Sequence, residues 1–244
     1  MPRLVFLVLV SAILVSQAKA ESAETATSAQ NWCAQAEASL VDELGGAAKC
    51  SAVKKRCVLM NNYWCQKHGT TPWKGTPGAD GKDGMRDVDG HAIFAAAEWS
   101  VRAIAIDIRT KYRRRLTSAI DIASQYSPWC DTLGSKAVVD GSGRSCRDGR
   151  AAPPPGFSGP ICDAPKSANP SISDCKPGCN CPPSAAAKLI QDIGTDVNAD
   201  LELFDKDGKP LANLSIFLRN LAAQEQGIYV RESVIAAGIA KLSQ

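Results

Sequence analysis

Ala95-Ala-Ala-Glu-Trp99-Ser-Val101-Arg-Ala103-Ile-Ala105-Ile106-Asp-Ile108-Arg-Thr-Lys-Tyr112 carries an unbroken helical rhythm. Trp99, Ala103 and Ile106 follow one another at steps of four and three. Ala95, Val101, Ala105, Ile108 and Tyr112 widen the apolar stripe over much of the circumference, which predicts a helix buried in a core. The run Lys111-Tyr112-Arg113-Arg114-Arg115 then puts cations at the carbonyl end of that helix, where its dipole favours them. Those arginines therefore read as a solvated helix end.

On the C-terminal side, Thr117 or Ser118 is placed to cap a further helix carrying Ile120, Ile122, Ala123 and Tyr126, which stops before Pro128. On the N-terminal side, residues Lys67–Gly90 hold six glycines, two prolines and four aspartates, the composition of a long loop. Further upstream, Ala34–Leu44 has Ala36, Leu40 and Leu44 four residues apart and predicts a helix stopped by Gly45-Gly46. A second helical stretch around Lys49–Met60 would place Cys50 and Cys57 on one face, toward a common neighbour. Two turns separate them by about 10 Å, too far to bridge each other.

Residues 139–183 contain nine prolines, six glycines and five cysteines. No regular element suits that composition, so an irregular, disulfide-pinned connector is expected. Beyond it come a helix over 184–192, a hairpin at Asp205-Lys-Asp-Gly-Lys-Pro210, and helices over 211–224 and 231–242. Asp207-Gly208 supplies the positive φ that a tight turn needs. The chain is thus expected to be mainly α with short β-hairpins.

The first residues read as an export signal. Arg3 precedes the apolar run Leu4–Val10 and Ala12-Ile-Leu-Val15, and Ala18-Lys-Ala20 supplies a cleavage site. The apolar run is shorter than the roughly 20 residues of a membrane span, so no span is expected after cleavage, and the product should be periplasmic or secreted. Residues 21–31 have little to bury and read as a flexible lead-in. Loss of Arg3 and Lys19 lowers the basic count from 28 to 26 against 25 acids. A net charge of one supplies no field for nucleic acid.

Ten cysteines, at 33, 50, 57, 65, 130, 146, 162, 175, 179 and 181, all lie beyond the signal. An even number in an exported chain predicts disulfides, whose pairing spacing does not reveal. Cys175-x3-Cys179-x-Cys181 resembles a metal-ligand cluster, but export favours oxidation and the loop holds no His. His68 and His91 are the only histidines, and neither is assigned a catalytic role. Asp196-x-Asn198-x-Asp200 and Asp205–Gly208 fall short of a calcium loop, and Asp80, Asp83, Asp87 and Asp89 show no ordered ligand spacing. Asn213-Leu-Ser215 is a glycosylation sequon in a source that glycosylates in that way. No cofactor is expected.

Asn61-Asn62-Tyr-Trp-Cys-Gln-Lys67, Pro72-Trp73-Lys-Gly75, Ala92-Ile-Phe94 and Trp99-Ser-Val-Arg-Ala103 together resemble the lysozyme-like superfamily. The likeness is to peptidoglycan-cleaving β-N-acetylglucosaminidases and related phage virion proteins, over about residues 50–130. Tyr126-Ser-Pro-Trp129 stands where the phage proteins show a helix ending in Trp-Ala-Pro. The resemblance implies a lysozyme-like unit, taken over 32–138; the connector over 139–183 and the helical tail with a hairpin over 184–244 follow it. It implies a sugar groove shaped by Asn61, Asn62, Trp73 and Phe94, with peptidoglycan or another envelope glycan as partner.

Where the cleaving members carry a Glu, a dozen residues before the Asn-Asn turn, this chain has Ala47-Ala-Lys-Cys-Ser-Ala52. The acid is displaced or lost, and Glu43 is the nearest candidate. The expected function is an exported protein that engages wall glycan strands, as a weak or degenerate hydrolase. The alternative is a non-enzymatic, disulfide-stapled protein that binds an envelope protein through the connector.

Overall fold

The computed structural model describes residues 32–41, 46, 48–50, 55–78, 84–129, 162, 165–167 and 169–243. The export signal, the lead-in, Glu43, Asp80, Asp83, Cys130, Cys146 and the connector up to residue 161 lie outside the described residues. What is described is mainly helical. In chain order the elements are α1 (32–39) and β1 (Leu40–Val41), then α2 (Arg56–Leu59), α3 (Ala97–Arg113) and α4 (Ala119–Tyr126). They continue with α5 (Pro182–Leu189), α6 (Asn213–Gln226), β2 (Tyr229–Val230) and α7 (Glu232–Ala240). No helix among the described residues is long and apolar enough to cross a membrane.

The chain forms two compact units: residues up to Ile104 joined by Glu225–Gln244, and Ala105–Gln224. In the first, β1 and β2 pair antiparallel, with Leu40 opposite Val230 and Val41 opposite Tyr229. The predicted helix over Ala34–Leu44 therefore ends early, at residue 39. Leu40 and Val230 are both buried, and an apolar β-branched residue such as Val230 suits a strand as well as a helix. α7 rests against α3 through Gly238, where an added Cβ would stand 2.2 Å from Val101 Cβ. Lys241 stacks over the Trp99 ring at 4.7 Å.

α3 forms as its periodicity demands, starting at Ala97, with Val101, Ala103, Ile104, Ala105 and Ile108 buried. Ile106, expected inside, is only half-buried, and the stripe is carried by Ile104 instead. In the second unit, Ser118 caps α4 in a reciprocal box with Asp121. α4 packs on α5, which opens with Pro182 at a position where the missing N–H costs nothing. The 205–210 hairpin is present: Asp205 donates to Lys209 O at 2.9 Å, Phe204 bridges Pro210, and Gly208 has φ +79°. Tyr112 donates to Thr117 O and accepts from Leu203 N at 3.1 Å each, pinning the segment before that hairpin.

Four disulfides join described cysteines: Cys33–Cys50, Cys57–Cys65, Cys162–Cys179 and Cys175–Cys181. Cys50 and Cys57 thus have different partners, not a common one. Among the described residues the regular α-helix there is Arg56–Leu59, which carries Cys57 and not Cys50.

Candidate functional site

The Asn61-Asn62 turn is built from the end of α2. Asn61 N donates to Val58 O at 3.1 Å and Asn62 N to Cys57 O at 3.0 Å, closing the helix in a Schellman arrangement. That arrangement requires a left-handed residue, and Asn61 has φ +51°. Asparagine tolerates this region better than other side chains apart from glycine. The Cys57–Cys65 disulfide then ties the helix to the far side of the turn.

Each asparagine has its own task. Asn61 Nδ2 donates to Phe94 O at 3.1 Å. Asn62 Nδ2 donates to Gln66 O at 2.8 Å and Ala92 O at 2.9 Å, and its Oδ1 accepts from Gln66 N at 2.8 Å. Both side chains are buried. Both Nδ2 hydrogens of Asn62 and its Oδ1 are thereby engaged inside the protein. Asn61 Oδ1, also buried, accepts from no donor among the described residues.

These bonds hold an extended segment, 91–94, against the turn. Ala92 N donates to Gln66 O and Phe94 N to Met60 O, both at 2.9 Å, while Lys67 bridges His91. On the other side Arg86 bridges Ala92 and Ile93 N donates to Met85 O at 3.0 Å, so the long glycine-rich loop starts and ends on this segment. Phe94 is fully buried in a cluster with Ala92 and Ala103, on which Trp73 and Trp99 pack.

Of the four residues implied as a sugar groove, Trp73 alone is partly exposed. Its Nε1 donates to Lys67 O at 2.9 Å, and its carbonyl accepts from Thr76 N and Oγ1 at 3.2 and 2.7 Å. The neighbouring Gly75, at φ +83°, lies under Trp99; a Cβ there would come within 2.0 Å of the indole. The four residues are therefore brought together, with Asn61, Asn62 and Phe94 buried and Trp73, partly exposed, packed on the cluster that holds Phe94.

A charged cluster at the base of the loop joins Asp87, Asp89 and His91 to Arg56, whose distance in sequence left the pairing without a signal. Arg56 pairs with Asp87 at 2.8 Å and with Asp89, and its guanidinium meets His91 Nδ1. Burial pushes the Asp87 carboxyl up, but the N–H groups of His91 and Asp89 and the charges of His91 and Arg56 outweigh it, leaving the carboxyl below its ordinary value. His68, whose Nε2 sits 3.2 Å from Met85 O, is lowered mainly by burial. Burial also pushes the Tyr63 phenol up to about 12, with the Ser39 hydroxyl opposing and Glu98 adding to the shift.

The end of α6 meets the same turn. Gln226 Nε2 contacts Cys65 Sγ at 3.0 Å, and Lys55 Nζ donates to the Gln226 carbonyl. Glu225, next to it, is half-buried, and its carboxyl is raised above the usual range by burial. In the sequence Glu225 stands in Gln-Glu-Gln-Gly at a helix end, with nothing to distinguish it from a solvated residue.

Among the described residues, Cys33, Glu37 and Cys50 bring three metal-ligating atoms within 4.8 Å of one another. The two sulfurs are bonded to each other and so are not thiolate donors, and Glu37 accepts from Cys50 N at 3.3 Å instead. When the chain is compared with known proteins, no protein-family model matches it and no curated protein is similar to it.

Proposed function

We propose that this is an exported protein that engages the glycan strands of peptidoglycan, with Trp73 as the ring-stacking surface. The observation that supports the reading is the convergence of Asn61, Asn62, Trp73 and Phe94, far apart in sequence, on one extended segment in one compact unit. An indole packed on an apolar cluster and held through its Nε1 is fixed in place, and a fixed aromatic surface suits the hydrogen-rich side of a sugar ring. Asn61, Asn62 and Phe94 contribute by fixing that face, since their own atoms are buried.

Sedimentation with purified insoluble peptidoglycan tests the proposal. The full chain should co-sediment, and Trp73→Ala should weaken binding by about 10-fold or more, the loss of one aromatic anchor. A chain that stays in the supernatant would refute the reading and favour an envelope protein as partner.

A further inference from the structure

We infer that the C-terminal end of α3 and the 205–210 hairpin form a cationic surface that docks the protein on the phosphate headgroups of an anionic lipid bilayer. The surface lies in the second compact unit and does not depend on the glycan proposal made for the first. Arg113, Arg114 and Arg115, expected as a solvated helix end, are exposed, but they do not stand alone. The hairpin folds back onto the same helix end. An added Cβ on Gly208 would lie 3.5 Å from Arg109 Cδ and 4.0 Å from Arg113 Nη2, and Phe204 packs edge-on against Tyr112 at 5.4 Å. Lys206 and Lys209, both exposed, stand on either side of Gly208 in the turn.

These cations are not used up inside the protein. None of Arg109, Arg113, Arg114, Arg115, Lys206 and Lys209 forms an ion pair or side-chain hydrogen bond among the described residues, whereas Lys111 between them pairs with Asp107 at 2.6 Å. Of the hairpin's two carboxylates, Asp205 accepts from Asp207 N and Lys209 N at 2.9 and 2.8 Å through its Oδ1, which closes the turn. Six unpaired cations thus share the segments 109–115 and 205–210 with two acids. The formal charge of the whole chain is only +3, so this excess is local.

Arg115 supplies an independent sign. Leu116 N donates to Lys111 O at 3.1 Å and Arg115 N to Tyr112 O at 2.9 Å, ending α3 in a Schellman arrangement whose left-handed position is Arg115, at φ +64°. Glycine takes that position freely, but an arginine is strained there. Its side chain is exposed and unpaired, so neither packing nor hydrogen bonding among the described residues accounts for the guanidinium. Strain that the fold does not use points to a task at the surface. The hairpin also runs into exposed Pro210 and Leu211. Cations spread over a helix end and a hairpin, with apolar side chains beside them, fit a plane of phosphates above hydrocarbon better than a single anion.

The test is flotation of the full, disulfide-bonded chain with vesicles of phosphatidylcholine alone or mixed with phosphatidylglycerol, with melting temperature read in parallel. The chain should bind the mixed vesicles and not the neutral ones, and added salt should release it. Arg113→Gln with Arg114→Gln, and Lys206→Gln with Lys209→Gln, should each weaken binding about 10-fold or more at an unchanged melting temperature, the effect of removing two cations from a charged surface. Arg115→Gly should melt higher, because strain is relieved, and yet bind more weakly; a residue with a purely structural role would not separate the two. No binding to the mixed vesicles, equal binding to the neutral ones, or parent affinity in either double variant or in Arg115→Gly would overturn the proposal. So would capture by soluble polyphosphate with none by vesicles, which would make free phosphate chains the partner.

Discussion

At the scale of single residues, positions that a binding site would use are occupied by structural work. Gly75 shows this most sharply, because a methyl group there meets the Trp99 indole at 2.0 Å on a backbone at φ +83°. Gly75→Ala should cost about 2–5 kcal/mol, from left-handed strain and overpacking together, read as a lowered melting temperature. An unchanged melt would mean that the loop does not pack on Trp99. Tyr63 offers a pH test. Its phenol ionises near 12 when folded, against about 10 in an unfolded chain, so between those values the folded state holds the proton that the unfolded state has lost. Stability is intact below pH 10 and should fall as pH rises toward 12, more steeply in the parent than in Tyr63→Phe. The sequence displayed Asn61, Asn62 and Phe94 as a group, but not that their polar atoms would face inward. Whether an amide points to a sugar or to a carbonyl depends on the 91–94 segment, which residue spacing does not locate.

At the scale of elements, legibility follows how local the cause is. α3 rests on its own periodicity, α4 on its Ser118–Asp121 box and the 205–210 hairpin on Gly208, and all three were readable. Gly208→Val should destabilise by about 1–2 kcal/mol through backbone strain alone, since an added Cβ meets nothing closer than 3.5 Å, and Lys206→Ala should be nearly silent. Equal melting temperatures for the two variants would show that the turn does not need its positive φ. Where the cause is distant, the sequence misleads. Leu40 continues the helical spacing of Ala36, yet joins a strand because Val230 lies beside it. The Arg56–Asp87–His91 cluster likewise needs the loop closed before its members become neighbours.

At the scale of the whole molecule, the disulfides among the described residues close local loops with sequence separations of 6 to 17 residues. Loops of this size stabilise by about 2–4 kcal/mol each, chiefly by restricting the unfolded chain. With all ten cysteines oxidised, intact mass should show a loss of about ten hydrogens and denatured protein should carry no free thiol. Two free thiols in the protein purified without reductant would contradict this. The strand pair Leu40–Val41 with Tyr229–Val230 has another implication, one of timing. Residues up to Ile104 emerge well before Glu225–Gln244, waiting roughly 6–24 s at ribosomal speeds of about 5–20 residues per second. Throughout that interval the early segment has no partner for β1 and no α7 to cover Val101. It must therefore be kept from aggregating until translation catches up. A message broken before codon 225 would yield a fragment bearing an open strand edge, ready for quality-control proteases.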